Sequence, residues 1–298
     1  MYHILLVGWL HHKNEAAIRK YDKIRVTRAS HIEEYAGDLS IYDVVYCPSS
    51  AVDVSQYPGV KFVFGPHFSV FPDERVIRMI GGGTYIQPSR WVMDFWKLAP
   101  FCSDISMVDV PFGVDTEYFT PDVSGVVRNN AFIYFKRRRP DELSYVEGLM
   151  RSYGVSYRVF TYGHYDEADY LKYLRTCKFG IWLDAHESQG FALEEALSIN
   201  VPLFVWNVRL LSQEYGSSYP DIFATSIPYW DSMCGEVVYT REEVVDGFLR
   251  FLSNLDSYRP REFVIKELSI DVCQKRFIDC LFRPFYISNG ESASTAKR

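Results

Sequence analysis

Two glutamates eight positions apart, Glu187 and Glu195, bracket a glycine at the point where an apolar, strand-like run passes into a helix-like one: Glu187-Ser188-Gln189-Gly190-Phe191-Ala192-Leu193-Glu194-Glu195. A glycine that opens a helix lets a ligand approach the unpaired amides of the first turn, and the helix dipole adds positive potential there. The chemistry suited to Gly190, Phe191 and Ala192 is therefore the holding of phosphate oxygens. Carboxylates accept hydrogen bonds from hydroxyls. Glu187 in the loop and Glu195 about one and a half turns into the helix suit a sugar on one side of that anion and a ribose on the other. Spacing alone equally describes a glutamate at a helix start and a second one solvated on the helix.

A second concentration of chemistry is the cationic run Lys136-Arg137-Arg138-Arg139, which follows the apolar segment Ala131 to Phe135. The chain as a whole carries 32 Lys and Arg against 38 Asp and Glu, a formal charge of -6. It lacks the general basic character by which nucleic-acid-binding proteins displace counterions, so no nucleic-acid partner is expected. The run either meets a small anion or is a solvated stretch of charge. His67 stands after a predicted strand in Phe62-Val63-Phe64-Gly65-Pro66-His67-Phe68, and His186 directly precedes Glu187. Gly8, with His11 and His12 beyond it, ends the first predicted strand. Tyr162 and Gly163, in Thr161-Tyr162-Gly163-His164-Tyr165, offer an aromatic face in a turn, for stacking or for packing. No metal site is expected. There is no Asp-x-Asp pair to hold a divalent cation on a diphosphate, and the six cysteines form no Cys-x-x-Cys pair and read as reduced core residues.

The elements that must position these groups follow from periodicity. Short apolar runs rich in β-branched and aromatic residues alternate with amphipathic stretches, the pattern of βαβ units and parallel sheets. Strands are expected at Tyr2 to Val7, Lys23 to Thr27, Tyr42 to Tyr46, Val60 to Phe64, Thr84 to Ile86 and Ile105 to Val110. Ser89 is expected to cap a helix running to about Leu98. The alternation restarts at Ala131 to Phe135, Ser156 to Thr161, Phe179 to Leu183 and Pro202 to Trp206, and the chain turns helical beyond Arg241 with a break at Pro260. The expectation is an α/β chain of two Rossmann-like domains, 1–121 and 122–287, facing each other across a cleft, with C-terminal helices and a flexible tail at 288–298. The start Met1 to Gly8 has no signal-peptide pattern, and no apolar run approaches the ~18 residues of a membrane span. A cytoplasmic protein without a transmembrane segment is expected, with peripheral docking on a membrane left open.

The Glu-x7-Glu arrangement, with Gly-Phe-Ala inside it and Glu-Ala-Leu at its end, resembles the donor-site signature of retaining GT-B glycosyltransferases, especially glycosyltransferase family 4. Gln87-Pro88-Ser89-Arg90-Trp91 is similar to that family's proline-serine helix start, and Pro111-Phe112-Gly113-Val114-Asp115 with Phe119-Thr120-Pro121 to its interdomain motif. The resemblance covers most of the second half and implies a metal-independent hexosyl transfer from a nucleoside-diphosphate sugar to a carbohydrate or glycoconjugate acceptor, with retained anomeric configuration and no cofactor. It implies that Glu187 binds hydroxyls of the transferred sugar and Glu195 the ribose, while the amides of Gly190, Phe191 and Ala192 meet the distal phosphate. Lys136, and next Arg137, would neutralise the leaving diphosphate. His67 would reach the donor sugar across the cleft, His186 would touch it, Tyr162 and Gly163 would lie beside the nucleobase, and Gly8 would lie near the phosphates or the acceptor.

The chain departs from that family in a short first domain, in an opening loop Gly8-Trp9-Leu10-His11-His12 without a glycine-rich run, and in quick passage from Tyr157 to Leu183. These departures fall on acceptor and base recognition. A non-catalytic sugar-nucleotide-binding protein and a GT-B sugar-nucleotide epimerase are the rival readings.

Overall fold

In a computed structural model the chain forms two parallel sheets; the structure describes residues 1–121, 125 and 127–282. The first contains β1 (Tyr2–Val7), β2 (Ile24–Ala29), β3 (Val44–Cys47), β4 (Phe62–Phe64), β5 (Thr84–Gln87) and β6 (Ser106–Asp109) in the order β2-β1-β3-β4-β5-β6. It is flanked by α1 (His12–Arg19), α2 (Glu74–Ile80) and α3 (Arg90–Trp96). The second contains β7 (Asn130–Lys136), β8 (Tyr157–Thr161), β9 (Cys177–Asp184), β10 (Leu203–Trp206) and β11 (Gly235–Val238) in the order β11-β10-β9-β7-β8. Its helices are α4 (Pro140–Ser152), α5 (Glu167–Leu174), α6 (Phe191–Ser198), α7 (Val244–Ser253) and α8 (Pro260–Glu267), and α9 (Ile270–Phe282) follows.

The strands are apolar on both sides because each sheet is covered on both sides. Leu5, Val7, Val45 and Phe64 enter one core cluster while Ile4, Leu6, Val44 and Val63 enter another, the period-two alternation of side chains across a strand. The second sheet repeats this, with Phe132, Tyr134 and Trp182 on one face and Ala131, Ile133 and Ile181 on the other. In both sheets strand order reverses direction once, between β1 and β3 and between β7 and β9. Connections leave to opposite faces at such a point, so a crevice opens at the carboxyl ends of the strands. Gly8 follows β1, while Lys136 and Asp184 end β7 and β9.

Four features differ from expectation. The strand β11, Gly235-Glu236-Val237-Val238, was not expected, because two adjacent valines are too short an apolar run to signal a strand, although they pack on opposite faces of the sheet. Ser89 occupies the N-cap of α3, but its hydroxyl makes no capping bond and is buried without a partner. Pro260 starts α8 rather than only breaking a helix, since a proline in the first turn forgoes an amide that has no acceptor anyway. The last helix, α9, follows the second domain in chain order yet packs on the first. Phe277 contacts Tyr21, Tyr46 and Phe112, and Gln274 hydrogen-bonds Asp22 and the Lys23 amide. The expected tail at 288–298 lies outside the described residues.

The two domains are sewn together on several levels. The segment between β10 and β11 reaches across, placing Val208, Leu211 and Ala224 in the first domain's core and Tyr219 5.4 Å from Phe71. Gln189 clasps the linker through both ends of its side-chain carboxamide, Oε1 accepting from the Phe112 amide at 3.0 Å and Nε2 donating to the Phe112 carbonyl at 2.5 Å. The Tyr229 hydroxyl donates to the Pro88 carbonyl at 2.6 Å. All six cysteines are buried and none is joined in a disulfide, and among the described residues no helix is long and apolar enough to cross a membrane.

Candidate functional site

A cavity of about 590 Å³ lies between the two sheets at their carboxyl ends. The structure brings His67, Lys136, Arg137, Tyr162, His186 and Glu187 to its wall, together with Gly190, Phe191, Ala192 and Glu195. Gly8 and Gly163 do not line it.

Lys136 is the last residue of β7, and its strand register pairs it with Asp184, the last of β9. Its ammonium is 2.7 Å from Glu187 Oε1, 3.2 Å from the His186 carbonyl and 3.8 Å from Asp184 Oδ2. Burial opposes the charge on Lys136, but Asp184 and Glu187 outweigh it and hold the pKa above the ordinary lysine value. Asp184 is fully buried and neither carboxyl oxygen makes a hydrogen bond. Desolvation, only partly offset by Lys136, raises its pKa well above the usual carboxylate range.

The rest of the cationic run divides by geometry. Arg137 takes a left-handed backbone (φ 51°) at the turn after β7 and pairs through Nη1 with Glu214 at 3.1 Å. Arg138 turns away from the cavity. It grips Glu142 with Nε and Nη2 at 2.9 and 2.6 Å and donates through Nη1 to the carbonyls of Asp184 and Trp206, tying strand ends together. Arg139 is exposed and meets Asp141.

Gly190 holds the N-cap of α6 at φ 90°, a left-handed conformation that strains any other residue. The amides of Phe191, Ala192 and Leu193 begin the helix and have no intrahelical acceptor. Glu187 is fixed from both domains: its amide donates to the Thr225 carbonyl at 3.0 Å and its carbonyl accepts from Trp91 Nε1 at 2.8 Å. Deeper on α6, the Glu195 carboxylate is buried and paired with Lys13 from the first domain at 2.7 Å, and Lys13 also reaches Glu167 at 2.8 Å. Burial outweighs Lys13 and raises the Glu195 pKa to about 7.

His67 accepts at Nε2 from the His11 amide at 3.4 Å and lies 3.0 Å from Asn14 Nδ2. A backbone amide can only donate, so the proton of the neutral ring is on Nδ1. Burial, and then His11, push its pKa down to about 4. His186 is likewise lowered to about 4, by burial and then by Lys136, and its Nδ1 lies 3.1 Å from Glu214 Oε2 without hydrogen-bond alignment. Tyr162 is half exposed with the Lys136 ammonium 4.8 Å from its ring centre, and Gly163 forms the open turn beside it. Gly8 serves the chain path: at φ 92° it ends β1, and an added Cβ would run into Ser50 Oγ.

Sequence reading passed over Lys13, Asn14, Trp91, Asp184 and Gln189. Asp184 was findable, since the residue ending the strand beside β7 must face Lys136 once strand order is known. Lys13 and Asn14 gave no local signal, because their partners Glu195 and His67 are distant in sequence.

No protein-family model and no curated protein matches the chain. Solved structures do match in shape. AviGT4, a glycosyltransferase involved in avilamycin A biosynthesis, is 13% identical with a TM-score of 0.57, over 94% of this chain and 97% of that one. Sucrose-phosphate synthase from Thermosynechococcus elongatus is 11% identical with a TM-score of 0.59, over 94% and 98%. The lipopolysaccharide outer core galactosyltransferase WaaB is 14% identical with a TM-score of 0.52, over 95% and 99%. The two parallel-sheet domains of this chain have the GT-B fold.

Proposed function

We propose that the chain transfers a sugar, of hexose type, from a nucleoside-diphosphate sugar to an acceptor hydroxyl, with retained configuration and without a metal ion. The observation that carries this reading is the meeting, in one cavity, of the buried Lys136 ammonium and the open first turn of α6, with Glu187 2.7 Å from Lys136. An ammonium and helix amides together suit a diphosphate, and a carboxylate beside them suits sugar hydroxyls. When the diphosphate takes up Lys136, Glu187 is freed to accept from the sugar, and the ribose hydroxyls compete with Lys13 for Glu195.

In this reading the acceptor oxygen bonds to the anomeric carbon as the bond from that carbon to the phosphate oxygen breaks. The acceptor's proton ends on the departing diphosphate. Lys136 and the α6 amides stabilise the charge developing there, with Arg137 nearby, so the protein works by electrostatics and positioning. A cytoplasmic setting fits a nucleotide-sugar substrate.

The test is a thermal-shift screen of UDP-, GDP-, ADP- and dTDP-sugars, followed by measurement of nucleoside-diphosphate release. A ligand at a hundred times its Kd stabilises the folded state by about 2.7 kcal/mol. If no nucleotide sugar raises the melting temperature and no nucleoside diphosphate is released, the proposal fails.

A further inference from the structure

We propose that the acceptor is itself a saccharide, and that Trp9 is the platform on which its ring lies; this rests on the transferase reading above and names its second substrate. Trp9 lines the cavity yet is 60% exposed. It is also held there. Gly8 at φ 92° directs the chain out of β1 where a side chain would meet Ser50, and the Trp9 amide donates to Ser49 Oγ at 2.8 Å. The loop therefore presents the indole rather than letting it fold inward.

The surroundings select the ligand class. The His67 ring centre is 5.0 Å from that of Trp9 at an interplanar angle of 57°, and the His11 ring stands edge-on at 6.2 Å and 88°. Asn14 lies behind His67 at 3.0 Å. A pyranose has an apolar C–H face and a rim of hydroxyls, which calls for a flat aromatic surface with polar groups beside it. An alkyl chain calls for an unbroken apolar wall, and two imidazoles interrupt the wall here. Trp9 sits on the first domain, whereas Lys136, Glu187, Glu195 and the α6 turn belong to the second. A ring lying on Trp9 is thus held by the first domain, beside the proposed donor site, since the His11 ring also stacks at 6.5 Å on Phe191 of the α6 turn. The opening loop carries this tryptophan where the resembled family has a glycine-rich run.

Protein labelled with 5-fluorotryptophan carries six fluorine reporters, and the resonance missing from W9F is that of Trp9. The probes are methyl β-D-glucoside, methyl β-D-galactoside, methyl α-D-mannoside and maltose, each with dodecyl phosphate as the lipid-like control. UDP and GDP alone serve as the donor control. The expected result is a saturable shift of the Trp9 resonance with at least one saccharide and none with dodecyl phosphate, and a loss of saccharide affinity of about tenfold in W9A. A Trp9 resonance that no saccharide moves, that dodecyl phosphate moves instead, or that UDP or GDP alone moves overturns the proposal. Failure of the nucleotide-sugar thermal-shift screen is a separate result and removes the transferase reading itself.

Discussion

Lys136 and Asp184 are register partners at the carboxyl ends of adjacent parallel strands, and the Lys136 ammonium lies 3.8 Å from Asp184 Oδ2 with Glu187 closer still at 2.7 Å. The pairing sits where strand order reverses in the second sheet, the place at which an open α/β fold leaves a crevice. One cation thus serves two carboxyl groups. The deeper of the two, Asp184, is pushed by burial toward its neutral form. Glu187 is the partner that can be exchanged for a ligand, since it lines the cavity and Asp184 does not.

That asymmetry separates two substitutions. Glu187→Ala takes the nearer carboxylate from the buried Lys136 ammonium, which keeps Asp184 and the His186 carbonyl, so stability should fall by about 1 to 2 kcal/mol, while transfer falls by about 10² to 10³. Lys136→Met removes the shared cation from a buried site and should cost about 3 kcal/mol as well as activity. Urea unfolding alongside nucleoside-diphosphate release measures both. Near-normal turnover in Glu187→Ala removes that residue from the mechanism.

The adjacent arginines should behave as unlike residues. Arg138 is buried and binds Glu142 and two strand-end carbonyls. Arg138→Ala takes the Nη1 donor from the buried Asp184 and Trp206 carbonyls and leaves Glu142 with the Arg139 amide, and should destabilise by about 3 to 5 kcal/mol. Arg139 is exposed against Asp141, and Arg139→Ala should leave the unfolding midpoint where it is in the wild type. Equal unfolding midpoints for the two variants would contradict the geometry.

Glu195 predicts a pH dependence of definite sign. Its pKa rises from 4.5 to about 7 on folding, with burial outweighing Lys13. The folded state therefore binds a proton that the unfolded chain releases. The stability this contributes is complete below pH 4.5 and is lost as pH rises through 7, an effect of about 3 kcal/mol. Urea unfolding of the wild type and Glu195→Gln across pH 4.5 to 8 should show the two curves diverging through this window, with the wild type losing more stability. Parallel curves would mean that Glu195 is ionised throughout.

How much of this was legible from the chain follows from where each signal lies. The strand Tyr2–Val7 was legible because a strand covered on both faces writes an unbroken apolar run. Gly190 was legible because only a glycine suits its backbone, and the two groups of the cationic run chosen for the cavity, Lys136 and Arg137, are those that line it. The edge strand β11 was not, having too little apolar pattern, and the packing of α9 on the first sheet was not, because an amphipathic helix does not say which core it covers. The Lys13–Glu195 pair spans the two domains, so no local spacing could reveal it.

His67 closes the set with a test of its tautomer. The His11 amide can only donate to Nε2, and burial then holds the ring neutral with a pKa of about 4. An unfolded histidine protonates near 6.5. The folded state therefore refuses a proton that the unfolded chain accepts, and stability is lost as pH falls from 6.5 through 4. This runs opposite to the Glu195 effect. Long-range proton–nitrogen NMR should show His67 neutral, with Nδ1 protonated and Nε2 bare, from pH 8 down to about 5. Such a ring offers the cavity an N–H donor and no formal charge at neutral pH. Under the proposed transfer, its role toward a bound sugar is to orient a hydroxyl or ring oxygen, not to supply a proton as an imidazolium. A titration of His67 near pH 6.5, or a proton on Nε2, would overturn that assignment and return the residue to the pool of general acids.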